Sequence, residues 1–282
     1  MILVFGQTGQ VARELVRVAP EARYLSRAEA DLLDPGACAA AITAQRPDAV
    51  INAAAWTAVD RAETEEDTAS VINGASPAAM AQACAALGIP LVQISTDYVF
   101  DGAGEAYFAP DHLTSPINAY GRSKLKGEEG VGRAGGVHAI LRTSWVFSRH
   151  GTNFVRTMLR LGADRESLRV VADQIGGPTP ARAIAAASLR MAQGLRDRAD
   201  LSGIYHLSGA PAVSWADFAR AIISEAGLAC RIEDIPSMAY PTPAPRPLNS
   251  RLDCVGLAKF GLTQPDWRAD LKDVVAELKD RP

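Results

Sequence analysis

In the stretch "NAYGRSK", residues 118–124, Tyr120 stands four residues before Lys124. On a helix that spacing puts both side chains on one face. A phenol with an ordinary pKa near 10 is a poor acid at neutral pH, but an adjacent ammonium favours the phenolate and lowers that pKa, each unit being worth about 1.4 kcal/mol. The pair can therefore hand a proton to an oxygen that is gaining negative charge. Thr96, in "QISTDYVF", supplies a hydroxyl that can hold such an oxygen beside the phenol. The spacing by itself fits two side chains on a solvated helix equally well, so the surrounding elements must decide.

Short β-branched and apolar runs recur at Ile2–Phe5, Ala49–Asn52, Leu91–Ser95 and Ala139–Arg142. Between them lie alanine-rich stretches with helical periodicity, Pro35–Gln45 and Ala75–Leu87. The runs lack polar alternation, as strands covered on both faces do, so the rhythm predicts an α/β fold with a parallel sheet and helices on each side. "INAAAWTAVD" and "QISTDYVFDG" each begin in such a run and continue past its carboxyl end, where ligands bind in open sheets of this kind.

The first run leads directly into "GQTGQVARELV", giving Gly6, Gly9 and Ala12 the spacing G-x-x-G-x-x-A between strand and helix. Glycine allows the backbone to approach a phosphate closely, and the following helix offers its N–H groups and positive dipole end. This is a dinucleotide-binding turn, and it makes the sheet a doubly wound, Rossmann-type one. A hydride-donating cofactor gives the phenol its use, because reduction of a carbonyl needs a proton for the oxygen that becomes an alkoxide. After the second strand the chain reads "YLSRAEADL". Where an acidic group would meet a ribose 2′-hydroxyl, it places Ser26 and Arg27, with Asp31 and Leu32 toward the adenine end. Arg27 can pair with a 2′-phosphate, which favours NADPH over NADH, although an ordinary surface arginine is an equally simple reading.

From about Gly151 the rhythm changes. A helix-like "NFVRTMLRLGA" precedes "LRVVADQIGGPTP", whose glycines and prolines predict a loop; a helix over Arg182–Leu195 and a strand near Ile204–Leu207 then return to the sheet. Beyond it come a helix with Ser214 at its N-cap, a proline-rich segment "PSMAYPTPAPRPLNSRLD" read as a ligand-contacting loop, and an amphipathic helix near Ala269–Leu278. A chain of 282 residues is long enough for a nucleotide-sized domain and a second, smaller α/β lobe that binds substrate.

The formal charge of −3, with 22% charged residues, leaves no electrostatic footprint for nucleic acid or an anionic membrane. Cys38, Cys84, Cys230 and Cys254 are far apart and read as buried free thiols, and His112, His138, His150 and His206 have no metal-ligand spacing. The opening "MILVFGQTGQ" shows no basic n-region or long apolar h-region, and no run approaches the ~20 residues that span a bilayer, so a cytoplasmic protein is expected.

The blocks "GQTGQVARELV", "PDAVINAAAWTAVDRAE", "STDYVFDG", "SPINAYGRSKLKGE", "LRTSWVF" and "PTPAPRPLNSRLD" resemble the dTDP-4-dehydrorhamnose reductase family of extended short-chain dehydrogenases/reductases over nearly the whole chain. The resemblance implies NAD(P)H-dependent reduction of the C4 ketone of dTDP-4-dehydro-β-L-rhamnose, with Tyr120 as proton donor and Lys124 as its partner. It implies that Gly9, Gln10 and Val11 carry the cofactor pyrophosphate, with Ala55, Trp56 and Thr57 along the cofactor. Thr96 and Asp97 would meet the sugar, and Trp145 would line the pocket. For Asp97 a loop-capping role, and for Trp145 a core role, remain open. Arg246, Asn249 and Arg251 are candidates for the nucleotide-sugar end, the arginines for its pyrophosphate. On this reading residues 1–146, with a return segment at about 168–205, bind the dinucleotide, and about 147–167 and 206–282 bind the nucleotide sugar.

Two positions depart from the family pattern. Trp56 stands where histidine or tyrosine is more common. Some members dimerise through magnesium held by an acidic cluster; Glu14 matches one ligand position, but Arg182 stands where another carboxylate would align, which argues against a magnesium bridge and leaves a homodimer open. An epimerase or dehydratase on the same scaffold, or a non-catalytic NADP-binding regulatory subunit, are the alternatives; the intact Thr96, Tyr120 and Lys124 set speaks against the last.

Overall fold

A computed structural model describes residues 1–279. Its centre is a six-stranded, wholly parallel sheet: β1 (Ile2–Phe5), β2 (Arg23–Leu25), β3 (Ala49–Asn52), β4 (Leu91–Thr96), β5 (His138–Thr143) and a late strand, Gly203–Leu207. The order across the sheet is β2, β1, β3, β4, β5 and then Gly203–Leu207, so the winding reverses between β1 and β3. A crevice opens there at the carboxyl ends of the strands.

The strands are apolar on both sides because both sides are covered. Val4, Ile51, Val92 and Leu141 face one core with Leu15 and Ile184; Leu3, Phe5, Val50 and Ile140 face the other with Ile42 and Met80. The first core is closed by α1 (Gln10–Val18) and a long helix, Ala181–Asp197; the second by α2 (Pro35–Gln45), whose N-cap is Asp34, and by the helix Ser76–Leu87. Cys38, Cys84, Cys230 and Cys254 are free and buried.

Ser76–Leu87 does not start abruptly. A short helix, Glu66–Ser70, runs into it through a π-helical turn at Val71–Ala75. Pro77 explains the turn, because it cannot donate to the carbonyl of Asn73 four residues earlier, and the helix widens where that bond is missing.

A third core, away from the large sheet, gathers Phe147 and, from helices Phe154–Asp164, Trp215–Ala226 and Trp267–Lys279, Val155, Met158, Phe218, Ile222, Trp267, Leu271 and Val275. Ser214 caps the second of these, accepting from Asp217 N. Residues 168–171, expected in the segment that returns to the large sheet, lie in a strand that packs on this third core instead. The strand Ser167–Val171 pairs with Arg231–Ile235 and buries Leu168 and Val170 there. The stretch expected as loop also contributes two-residue strands, Ile175–Gly176 and Thr179–Pro180; their partners are distant in sequence, which a local reading cannot see. Residues 280–282, expected in the smaller lobe, lie outside the described residues. Among the described residues no helix is long and apolar enough to cross a membrane.

Candidate active site

The crevice is a cleft of about 1130 Å³ running from the glycine turn, past the ends of β3, β4 and β5, to the aromatic edge of the third core. At one end Gly6 has φ +105°, and a Cβ there would meet the Ala53 carbonyl oxygen at 3.3 Å. Only glycine takes that turn without strain. Gly9 is the N-cap of α1 and offers no side chain to its first N–H groups, which are left for an anion. Ser26, Arg27, Asp31 and Leu32 line the same end. Arg27 is exposed and donates to Asp31 at 3.0 Å. Gln10 also lines the cleft, but its side chain is committed across the lobes: its Oε1 accepts from Ser148 Oγ at 2.8 Å and Asn153 Nδ2 at 2.9 Å.

At the centre, the helix Ala119–Arg133 starts at Asn118, whose side chain caps Gly121 N at 2.8 Å and reaches Pro245 O at 2.9 Å. The cap fixes the first turn, which carries Tyr120. Burial pushes the Tyr120 phenol up, and the Thr96 hydroxyl beside it opposes the rise. Lys124 is buried, donates to Ile94 O at 2.7 Å, and is brought down to about 8 by its burial, with Glu128 opposing. The expectation that the ammonium already lowers the phenol is therefore not met: its nearest partner is a main-chain carbonyl, and desolvation dominates Tyr120. Thr96 Oγ1 donates to Asp97 Oδ1 at 3.0 Å. Asp97 is fully enclosed and raised to about 6 by burial, against the influence of Ser250 and Thr96. Its Oδ2 has no hydrogen-bond partner, and neither has Thr143 Oγ1, another lining atom of the cleft.

At the far end Trp145, held at φ +48°, stacks on Trp215 with ring centroids 3.6 Å apart and planes at 10°. Both line the cleft together with Phe154 and Asn153.

Of the candidate residues, Gly6, Gly9, Gln10, Val11, Ser26, Arg27, Asp31, Leu32, Ala55, Thr57, Thr96, Asp97, Tyr120, Lys124 and Trp145 meet around the cleft. Trp56, Arg246, Asn249 and Arg251 do not. Trp56 packs, as Tyr120 also does, against the cluster of Ala62, Ala69 and Ala119, with Arg61 above its ring at 4.8 Å. Arg246 pairs with Asp60 at 2.9 Å, while Asn249 donates to Ala106 O and accepts from Arg251. The sequence reading missed Tyr98, Thr143 and Trp215. Tyr98 meets Tyr120 edge-on at 5.6 Å. Thr143 ends a parallel strand, and that position was the available signal. Trp215 follows a cap that was recognised, but a cap does not say where the next ring points.

The geometry suits a dinucleotide: a turn whose φ +105° at Gly6 needs glycine, an uncapped helix start, and a cleft that also holds a phenol, an ammonium and two unpartnered polar atoms. It does not suit magnesium. Glu14 is held by His150 at 3.1 Å and by Arg17, while Arg182 pairs with Asp270 and Asp273.

Comparison with known proteins agrees with this arrangement. Residues 1–280 match the family described as RmlD substrate binding domain. A dTDP-4-dehydrorhamnose reductase of Sinorhizobium fredii is 43% identical, over 98% of this chain and 97% of its own. A solved dTDP-4-dehydrorhamnose reductase from Clostridium acetobutylicum superposes with TM-score 0.91 at 33% identity, covering 99% of each chain. One from Bacillus anthracis, in complex with NADP, gives 0.90 at 34% identity and 98% coverage of each.

Proposed function

The chain belongs to the RmlD substrate binding domain family, and from that premise we propose that it is an NAD(P)H-dependent oxidoreductase that reduces the C4 ketone of dTDP-4-dehydro-β-L-rhamnose to dTDP-β-L-rhamnose. The observation that carries the reading is the meeting of Thr96, Tyr120 and Lys124 in one cleft with the glycine turn. Relatives of near-full length carry the reductase name, and that breadth favours a net reduction over an epimerase or dehydratase.

A nicotinamide cofactor, when bound, supplies the hydride. Gly6, Gly9 and the first N–H groups of α1 would hold its pyrophosphate, with Ala55 and Thr57 along its length. The residues of the chain handle the oxygen. The Tyr120 hydroxyl presents a donor to the ketone and gives up its proton as the alkoxide forms, and Thr96 adds a second donor when its hydroxyl turns from Asp97 Oδ1 to the ketone. Burial favours the neutral phenol, so the proton is present at neutral pH before the reaction begins. Lys124 supplies the positive charge that favours the phenolate left behind. Asp97 and the Trp145–Trp215 stack would border the sugar, and contacts to the nucleotide end would orient a small reacting group.

NADPH is proposed as the preferred cofactor, since Arg27 stands at the rim where a 2′-phosphate would lie and can exchange Asp31 for it. A hydride donor and a nucleotide sugar as co-substrates also support a cytoplasmic place of work. The test is to give the purified protein dTDP-4-dehydro-L-rhamnose with NADPH or NADH in parallel and identify the sugar by NMR. Stoichiometric cofactor oxidation and dTDP-L-rhamnose are expected; turnover without net cofactor loss would overturn the reading.

A further inference from the structure

Lys124 and Glu128 follow Tyr120 at successive turns of the same helix, and Glu128 is as deeply buried as Lys124. Its carboxylate takes three charge-assisted bonds from Arg142 of β5: Nε to Oε1 at 3.0 Å, Nε to Oε2 at 3.1 Å and Nη2 to Oε2 at 2.7 Å. Ser95, next to Thr96, donates to Oε1 at 2.5 Å. Arg142 is itself anchored by Pro110 O at 3.0 Å and lies over Phe100. The catalytic helix is thus tied to the end of β4 twice, by Lys124 on Ile94 and by Glu128 on Ser95.

We propose that Glu128 and Arg142 are positioning residues for the catalytic pair: their buried ion pair registers the Tyr120 helix on Ser95 and Thr96 and sets the charge that Lys124 faces. This rests on the reductase reading above. Both ions are almost wholly enclosed, where breaking a pair by removing one partner leaves an uncompensated charge. Of the elements packed against this helix, the turn after β4 brings Asp97, β5 brings Arg142, which touches His206 of the Gly203–Leu207 strand at 3.4 Å, and the segment 59–70 brings Glu63 and Glu66, which bond Ala119 N and Arg122 instead. His206 is held neutral by burial and by Arg142 itself. Glu128 is the anion that favours the lysine's charged form.

The chain has five lysines, Lys124, Lys126, Lys259, Lys272 and Lys279, so each can be followed by NMR after ¹³Cε labelling. In the unsubstituted protein Lys124 should titrate well below the other four, with a midpoint that moves little between low and 1 M salt, because screening acts on exposed charges. Glu128→Gln should move that midpoint down by about one unit or more, and Arg142→Gln, which frees the carboxylate, should move it up. The alkaline limb of the kcat profile should follow in the same opposite directions, while Glu128→Asp should restore it. A merely structural role would lower stability in both variants without opposite shifts. Should the variants fail to fold, the unsubstituted titration decides: a salt-sensitive midpoint level with the other lysines overturns the proposal. The titration needs no substrate, so it remains informative even if the keto-sugar is not reduced.

Discussion

The two ends of the cleft are made in different ways. At the glycine turn, consecutive residues and main-chain groups form the surface, and the essential atoms are N–H groups and an absent Cβ. Toward the aromatic end, side chains arrive from four separate segments, from Asp97 and Thr143 at the centre to Asn153 and Trp215 beyond them. The first kind of surface can be specified by a few neighbouring residues. The second depends on packing between lobes, so its chemistry can change while the scaffold stays the same.

Replacing Tyr120 with Phe is the largest disturbance expected, and it falls between the ends. Loss of a positioned proton donor typically costs about 10²–10⁴-fold in rate, so kcat should fall by that much while cofactor affinity, followed by nicotinamide fluorescence, holds. A parallel loss of cofactor affinity would assign Tyr120 to the glycine end.

Asp97→Asn sharpens the contrast through stability. Burial raises the carboxyl from 3.8 to about 6, so between those values the folded protein binds more protons than the unfolded one. Stability therefore falls as pH rises through that window. At pH 7 the charged form costs about 3 kcal/mol, at about 1.4 kcal/mol per unit. The variant should melt several degrees higher at pH 7, show no gain near pH 3, and bind the sugar less well. An equal melting difference at the two pH values would show that the buried Asp97 carboxyl carries no such cost.

Gly6→Ala should act on the other end alone. The backbone conformation at φ +105° penalises a side chain by about 1–3 kcal/mol, which, if relieved by distorting the cradle, predicts a KM for the cofactor about 5- to 150-fold higher with little change for the sugar. Trp215→Ala should do the reverse and more mildly. It removes a stacked partner of Trp145 worth about 0.5–1.5 kcal/mol beyond its area, raising the sugar KM by up to tenfold. If Trp215→Ala altered cofactor KM instead, the division into two ends would fail.

The same contrast explains what could be read from sequence. The strands of the large sheet and the turn after β1 were legible because local pattern decides them. So was Tyr120, since its spacing to Lys124 and the glycine turn and "STDYVF" before it gave the phenol a use, although the Asn118 cap that starts its helix was not read. Arg246 and Arg251 lie off the cleft, held by Asp60 and Asn249, and the pairing of Arg246 with a residue 186 positions earlier could not be read locally. Nor did any local signal show that Ser167–Val171 pairs with a strand more than sixty residues later. The ion pair under the catalytic helix was hidden for a related reason. "KGEEG" reads as a solvated helical face until β5 sets Arg142 beneath Glu128.

The π-helical turn ahead of Ser76–Leu87 bears on how accurately the phenol is aimed. Pro77 leaves the Asn73 carbonyl outside the usual helical bonding, and Gly127 of the catalytic helix sits against that oxygen so tightly that a Cβ would come within 2.1 Å. Gly121 meets the Tyr98 carbonyl with similar closeness, at 2.2 Å. Asn73 in turn bonds Ser123 Oγ at 2.9 Å. The helix that carries Tyr120 is therefore seated backbone against backbone, with no flexible side chain between to take up error. Its alignment is set by hard contact, like a part machined against a flat datum, and a single methyl group at Gly127 would act on the reaction as a shim.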